Sequence, residues 1–326
     1  MALPEKKPYE RLSDYLERSL PAELEAGKSR AKATAELIAK YNTPPEREMF
    51  APFIWGYANN APSSGGGDAD ADAYITAVKS SGGTLSAGDE TAIQTLFTDL
   101  KSNSLYTKLQ LFYPMMGGTA ASTAINGNLD TNFDITWNGS LTFNSNGVTG
   151  TGTNGDYGNT NFTPSVDGNS NDFSYGIYTT AGNFDQEKYM FGALGNGFLD
   201  IPRGDSATEV GIYGWSASQR QQMSFTRGDG QYTGTFDTTS GEKTLYFNAD
   251  LVGYPSVTST PGGGFGRADE DVFLFTLNLN GSPYTNNYWD GSCRFFFYGD
   301  YLTQSEVETI NTIIQTFQTD LGRNTY

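Results

Sequence analysis

From Phe133 to Tyr298 the chain breaks into short apolar runs separated by turn dipeptides, and this rhythm constrains the fold more than any other feature. The runs include Phe133-Asp134-Ile135-Thr136-Trp137, Phe173-Ser174-Tyr175-Gly176-Ile177-Tyr178, Val210-Gly211-Ile212-Tyr213-Gly214-Trp215 and Thr244-Leu245-Tyr246-Phe247-Asn248-Ala249-Asp250. Between such runs stand Asn138-Gly139, Asn146-Gly147, Asn154-Gly155, Asp167-Gly168 and Asn280-Gly281. Asn or Asp followed by Gly adopts the left-handed backbone angles that reverse a strand. Regular short strands with such turns predict a mainly β protein, an antiparallel sandwich or barrel. Composition agrees: 17% charged residues, 14% aromatic and 39 Gly suit a turn-rich β-fold and argue against disorder.

Helical patterns flank the strands. Leu12, Tyr15, Leu16 and Leu20 recur at helical spacing until Pro21, and a second pattern runs from Ala22 to Tyr41 before Thr43-Pro44-Pro45. An aromatic strip without clear period follows, Met49-Phe50-Ala51-Pro52-Phe53-Ile54-Trp55-Gly56-Tyr57. Such a strip does not sit free in water. With the flexible stretch Ala61–Gly67 beyond it, residues 1–60 read as an anchor, 61–67 as a tether and 68–326 as the main module. The docking side chains expected of the anchor are Leu12, Leu16, Phe50, Phe53, Trp55 and Tyr57.

Residues 68–110 read as a helical lead-in. Asp68, Asp70 and Asp72 precede Ala73-Tyr74-Ile75, and Ser86-Ala87-Gly88-Asp89 introduces the apolar face Ile93, Leu96, Phe97, Leu100. A final helix is expected over 303–321. It opens on the capping box Thr303-Gln304-Ser305-Glu306, and Val307, Ile310, Ile314, Phe317 and Leu321 form a stripe that would pin it to the sandwich.

Charge and residue types exclude several functions. Residues 1–60 carry nine Lys/Arg and nine Asp/Glu, so the whole net charge of −17 falls on the remainder. An acidic body repels phosphate backbones, which argues against nucleic acid as partner. The chain has no histidine, which removes Ser-His-Asp and Cys-His catalysis and the commonest transition-metal ligand. The single cysteine, Cys293, stands in an apolar strand pattern and reads as core. The N-terminus lacks a signal-peptide pattern and no run has the length of a membrane span, so synthesis in a cytoplasm and a soluble product are expected.

Three separated pieces carry a family resemblance. The first is Leu100-Lys101-Ser102-Asn103-Ser104-Leu105-Tyr106-Thr107-Lys108-Leu109 running into Tyr113-Pro114-Met115-Met116-Gly117-Gly118-Thr119. The second spans Asp130 to Gly139. The third runs from Phe273-Leu274-Phe275 through Cys293–Asp300 and Leu302-Thr303 to Gly322-Arg323. In this order they resemble a concanavalin-like (laminin-G-like) β-sandwich or jelly-roll module of bacteriophage tail, fibre or head-fibre proteins. That resemblance covers residues 68–326 and not the anchor. It implies a structural protein on the virion surface, fixed through its N-terminus to capsid, portal or tail proteins. It also implies self-association, trimers being common among such fibres, and a role in host attachment.

Related sandwiches include glycan hydrolases and sugar-binding proteins, so chemistry has to be argued from residues. The paired strand carboxylates of a glycosidase, spaced E-x-D-x-x-E, are missing, and Asp269-Glu270-Asp271 reads as a solvated turn. No catalytic residue is assigned. For a host-surface glycan, aromatic rings that stack on pyranoses and acids that hold hydroxyls nominate Trp215, Tyr284, Tyr288, Trp289 and Asp290, with Asn286 and Asn287 beside them. Calcium has loop oxygen ligands to choose from but no diagnostic spacing, and no other cofactor is indicated. The triplets Arg203-Gly204-Asp205 and Arg227-Gly228-Asp229 read as turn material at strand ends.

Overall fold

The computed structural model describes residues 67–182, 188–194, 198–206, 209–214, 221–224, 228–237, 240, 242–253, 267–285 and 287–325. The chain divides into two units, Met1–Gly66 and Gly67–Tyr326. The proposed anchor, its docking residues Leu12, Leu16, Phe50, Phe53, Trp55 and Tyr57, and Trp215 all lie outside the described residues.

Three helices begin where side chains satisfy the orphan amides of a first turn. Helix α1 (Ala69–Ser80) is capped by the Asp68 carboxylate, which accepts from the amides of Asp70 and Ala71. Helix α2 (Ala87–Ser102) starts on a reciprocal box in which the Asp89 amide donates to Ser86 Oγ and the Ser86 amide to the Asp89 carboxylate. Helix α3 (Gln304–Asp320) repeats the device with Thr303 and Glu306. Each cap is worth about 1 kcal/mol. Lys101 joins Asp68 and Asp70 at 2.7 and 2.6 Å, tying the end of α2 to the start of α1.

Two β-sheets follow. In the first, neighbouring strands run Asp250–Gly253, Glu242–Phe247, Gly230–Asp237, Phe173–Thr180, Ser292–Asp300, Gly147–Thr149 and Thr142–Asn144, and Leu109–Tyr113 also pairs with Ser292–Asp300. Every pairing in it is antiparallel. The second runs Gln221–Ser224, Glu209–Gly214, Phe198–Ser206, Phe191–Leu194, Phe273–Leu274, Tyr157–Asn159 and Thr136–Asn138. It is antiparallel apart from Asn278–Leu279, which lies parallel to Phe191–Leu194. The expected antiparallel sandwich with flanking helices is therefore the fold of residues 67–325.

Strand Ser292–Asp300 is buried along nearly its whole length, and its side chains serve two cores. Phe296 and Tyr298 point between the sheets, where they meet Phe191 at 4.8 Å and Phe162 at 5.0 Å. Phe295 and Phe297 point the other way, into a second core with Tyr74, Phe97, Phe112, Val307, Ile310, Ile314 and Phe317. The described residues of the unit Gly67–Tyr326 thus form three layers: helices, first sheet, second sheet. Strict alternation would put Cys293 and Phe295 on one face. A register shift between them makes Arg294 an extra residue, so Cys293 enters the inter-sheet core while Phe295 faces the helices.

Two sequence readings change. The run Thr244–Asp250 is a hairpin and not one strand, because Asn248 and Ala249 take φ of 53° and 68° between Glu242–Phe247 and Asp250–Gly253. The run beginning at Phe133 opens as a 3-10 turn, Thr131–Phe133, and becomes strand only at Thr136. By contrast Asn280-Gly281 reverses Asn278–Leu279 onto Ser282–Pro283 with φ of 51° and 80°, as a two-residue hairpin requires.

The stripe of α3 faces the helix-side core, with Val307, Ile310, Ile314 and Phe317 buried and Leu321 packed at its edge. Phe317→Ala should therefore lower the unfolding free energy by about 3–5 kcal/mol in chemical denaturation. Val166→Ser, at the exposed Val166, should stay within about 0.5 kcal/mol of wild type.

Candidate functional site

The segment nominated for carbohydrate, Tyr284 to Asp290, leaves the second sheet after Ser282–Pro283 and enters the central strand at Ser292. Its backbone is pinned at three points. The Tyr284 amide donates to Leu277 O at 2.7 Å, the Tyr189 amide to Asn287 O at 3.0 Å, and the Trp289 amide to Phe275 O at 2.8 Å. These bonds turn Tyr288 and Trp289 inward, and each is only 1% exposed.

Trp289 is a core residue and not a stacking platform. Its indole N–H donates to Thr179 Oγ1 at 3.2 Å. Its ring fills space left by missing side chains: a Cβ on Gly182 would lie 1.9 Å from the ring, and one on Gly291 2.5 Å from its nitrogen. Gly150 backs onto the Trp289 carbonyl in the same way, with 2.2 Å to a hypothetical Cβ. Gly182 and Gly291 thus leave the space the indole fills, and Gly150 admits the Trp289 backbone. Tyr288 bridges to Tyr189 and is likewise buried. Of the four described nominees only Tyr284 and Asp290 keep exposed surface, and Tyr284 packs edge-on against Tyr189 at 5.6 Å. The structure does not assemble the four described nominees, Tyr284, Tyr288, Trp289 and Asp290, into one open aromatic face.

The acidic residues considered for catalysis are engaged in holding loops. Asp271 accepts from Asn159 Nδ2 at 3.0 Å and from Thr163 Oγ1 at 2.6 Å, while Asp269 is exposed at a bend. Asp156, which is buried, accepts the Ser140 amide at 2.7 Å and the Thr151 hydroxyl. Among the described residues no group of three or more His, Cys, Asp or Glu could hold a metal ion. No helix among them is long and apolar enough to cross a membrane. Burial pushes the Cys293 thiol well above its ordinary range. Of the Arg-Gly-Asp triplets, Arg203-Gly204-Asp205 lies within strand Phe198–Ser206, and Asp229 accepts the Ala181 amide at 2.8 Å.

Sequence reasoning passed over the chemical part of Arg323. This residue is 2% exposed and makes no ion pair among the described residues. Its guanidinium donates to Pro114 O at 3.2 Å, Met115 O at 3.2 Å and Ser145 O at 3.4 Å, and lies 5.6 Å from the Phe317 ring centre. Arg294 donates to the Arg323 carbonyl. Burial, and then Arg294, disfavour the charge of Arg323, although an arginine stays protonated at neutral pH. The signal was present as Gly322-Arg323 after the last helix, together with Tyr113-Pro114-Met115.

No protein-family model and no curated protein matches the sequence. Among solved structures, a botulinum neurotoxin type C structure whose cell entry is described as dependent on two ganglioside molecules matches with TM-score 0.47 and 12% identity, over 66% of this chain and 53% of that one. The CBM40 of Ruminococcus gnavus IT-sialidase bound to α2,3 sialyllactose matches with TM-score 0.34 and 13% identity, over 43% of this chain and 82% of that one. The NanB sialidase of Streptococcus pneumoniae matches with TM-score 0.34 and 16% identity, over 44% of this chain and 24% of that one. The chain therefore spans about a quarter of NanB, and no residue role passes across from any of these structures.

Two outcomes follow for the described residues. Trp289→Ala should cost about 3–5 kcal/mol in unfolding free energy, whereas Tyr284→Ala should cost under about 2, both measured by urea denaturation. The Cys293 thiol, held protonated by burial, should resist a thiol reagent in the native protein through pH 9 and react at once in denaturant.

Proposed function

We propose that this chain is a non-catalytic attachment protein of a bacteriophage particle. Residues 1–60 plug into the virion, and the β-sandwich presents a carbohydrate-binding surface toward the host. One observation carries the reading: the first and third pieces of the phage-module resemblance meet at Arg323. The side chain that ends the third piece closes on the carbonyls of Pro114 and Met115 in the first. A set of motifs coupled through one buried contact supports a single inherited module better than independent matches would.

Carbohydrate recognition then falls to Tyr284 and Asp290, whose exposed surface lies beside the hairpin Asn278–Pro283 and Gly152. A partly exposed ring and a partly exposed carboxylate on one segment offer the group types that sugar faces and hydroxyls require. The alternative is a carbohydrate-binding lectin or a glycan depolymerase on the same fold; of these the depolymerase has less support, since Asp271 spends both oxygens on Asn159 and Thr163.

Mass spectrometry of purified particles should find the chain at a fixed copy number, and deletion of residues 1–60 should leave a folded domain that no longer incorporates. Normal incorporation of the truncated chain would refute the anchor. On a glycan array, wild-type binding should fall at least tenfold in Tyr284→Ala and Asp290→Ala while both variants stay folded at the assay temperature. Release of reducing ends from host polysaccharide would instead identify a depolymerase.

A further inference from the structure

A second cleft, on the opposite side of the first sheet from the indole slot, is built from three segments. The C-terminal turn of α1 gives Ala77, Ser80 and Ser81, and the helical turn Ala120–Thr123 gives Ala121. The loop beyond gives Ile125, Leu129, Thr131 and Asp134. The cleft holds about 420 Å³, inside the roughly 300–1,000 Å³ typical of ligand sites. Its floor is apolar, since Ala77, Ile125 and Leu129 belong to the helix-side core and show one edge here. Its polar groups are hydroxyls at the rim and a single carboxylate.

That carboxylate is short of a counter-charge. One oxygen of Asp134 accepts the Asn126 amide at 2.9 Å, and no lysine or arginine among the described residues reaches it as an ion pair. Burial raises its pKa, the Asn126 amide opposes this, and the neighbouring charge of Asp130 raises it further. The C-terminal end of α1, which carries the negative end of the helix dipole, borders the same space at Ser80 and Ser81. The local basic residue, Lys79, is held away by Glu90 at 2.7 Å. Three negative contributions therefore meet over an apolar floor, in a body whose net charge is already strongly negative.

We infer that this cleft docks a lysine or arginine side chain presented by a partner protein, with the aliphatic stem on Ala77, Ile125 and Leu129 and the cationic head at Asp134. A long apolar stem ending in a positive charge is the side-chain chemistry that matches both floor and wall. The acidic body would speed the encounter with a basic partner surface. Asp134 lies in the Asp130–Gly139 motif, whose aspartates the attachment reading leaves without a task.

Amide NMR of the full chain tests the inference directly. The probes are Nα-acetyl-lysine methylamide and its neutral isostere Nα-acetyl-norleucine methylamide. The lysine derivative should give saturable shifts at Ala77, Ile125, Asn126 and Asp134, with at least tenfold weaker binding for the norleucine compound. Asp134→Asn keeps an acceptor for the Asn126 amide and should abolish the difference. Thr131→Lys places a competing cation on the exposed rim and should block the cleft, which decides the matter if Asp134→Asn does not fold. Equal binding of both probes, shifts unchanged in both variants, absence of cleft shifts, or preferential occupation by a neutral methyl glycoside would overturn the inference.

Discussion

A strand buried on both faces must be apolar on both faces, and Ser292–Asp300 imposes that condition on everything around it. It hydrogen-bonds to Phe173–Thr180, Gly147–Thr149 and Leu109–Tyr113, so its edges are closed as well. Phe296 and Tyr298 need a second sheet over them, while Phe295 and Phe297 need a layer on the far side. Helices α1, α2 and α3 supply that layer. They are structural requirements of the central strand and not ornaments of the sandwich. Each buried aromatic contributes roughly 1.5–3 kcal/mol, so leaving one face uncovered would forfeit a large part of a domain's net stability.

Arg323 shows how the ends of this arrangement are held. A buried guanidinium usually takes a carboxylate partner, and this one uses backbone carbonyls and an aromatic face. Carbonyls at Pro114 and Met115 follow the strand Leu109–Tyr113, just before Gly117 and Gly118, which take φ of 86° and 73°. Such angles suit glycine and fold the segment back toward the turn capped by Thr119. The bulged Arg294 adds a bond to the Arg323 carbonyl, and Gln318 reaches the Arg294 carbonyl at 3.4 Å. The defect in the central strand is thus where the last helix is fastened.

What could be read from sequence is what local chemistry decides. The Thr303–Glu306 and Ser86–Asp89 boxes fixed two helix starts, the 3, 4, 3, 4 spacing fixed the buried stripe of α3, and Asn280-Gly281 fixed a hairpin. The turn at Asn248-Ala249 escaped because alanine carries no turn signal, and its geometry is held from a neighbouring strand through the bonds between Asn248 and Gln231. Trp289 and Tyr288 escaped for a related reason. An aromatic residue in a loop faces in or out according to what space awaits it, and the space for the Trp289 ring is left by Gly182 and Gly291. The cleft at Asp134 is harder still, because its walls come from three segments that only packing brings together.

Electrostatics among the described residues narrows what a sugar at the proposed Tyr284 and Asp290 surface could be. Anionic glycans need local cations, and the basic side chains described here are committed elsewhere. Lys79, Lys101 and Lys108 are ion-paired to Glu90, to Asp68 and Asp70, and to Glu306. Arg267, Arg294 and Arg323 donate to backbone carbonyls, and Lys188 and Lys243 are buried. Borrowing one of them would break a bond that holds a loop or a helix end. A carbohydrate bound at Tyr284 and Asp290 would also meet a carboxylate at close range, which favours hydroxyl donors and repels a sugar acid. The same acidity that disfavours anionic ligands favours basic protein surfaces. The proposed neutral-sugar surface at Tyr284 and Asp290 and the proposed cationic partner at the cleft beside α1 are therefore both compatible with one charge distribution.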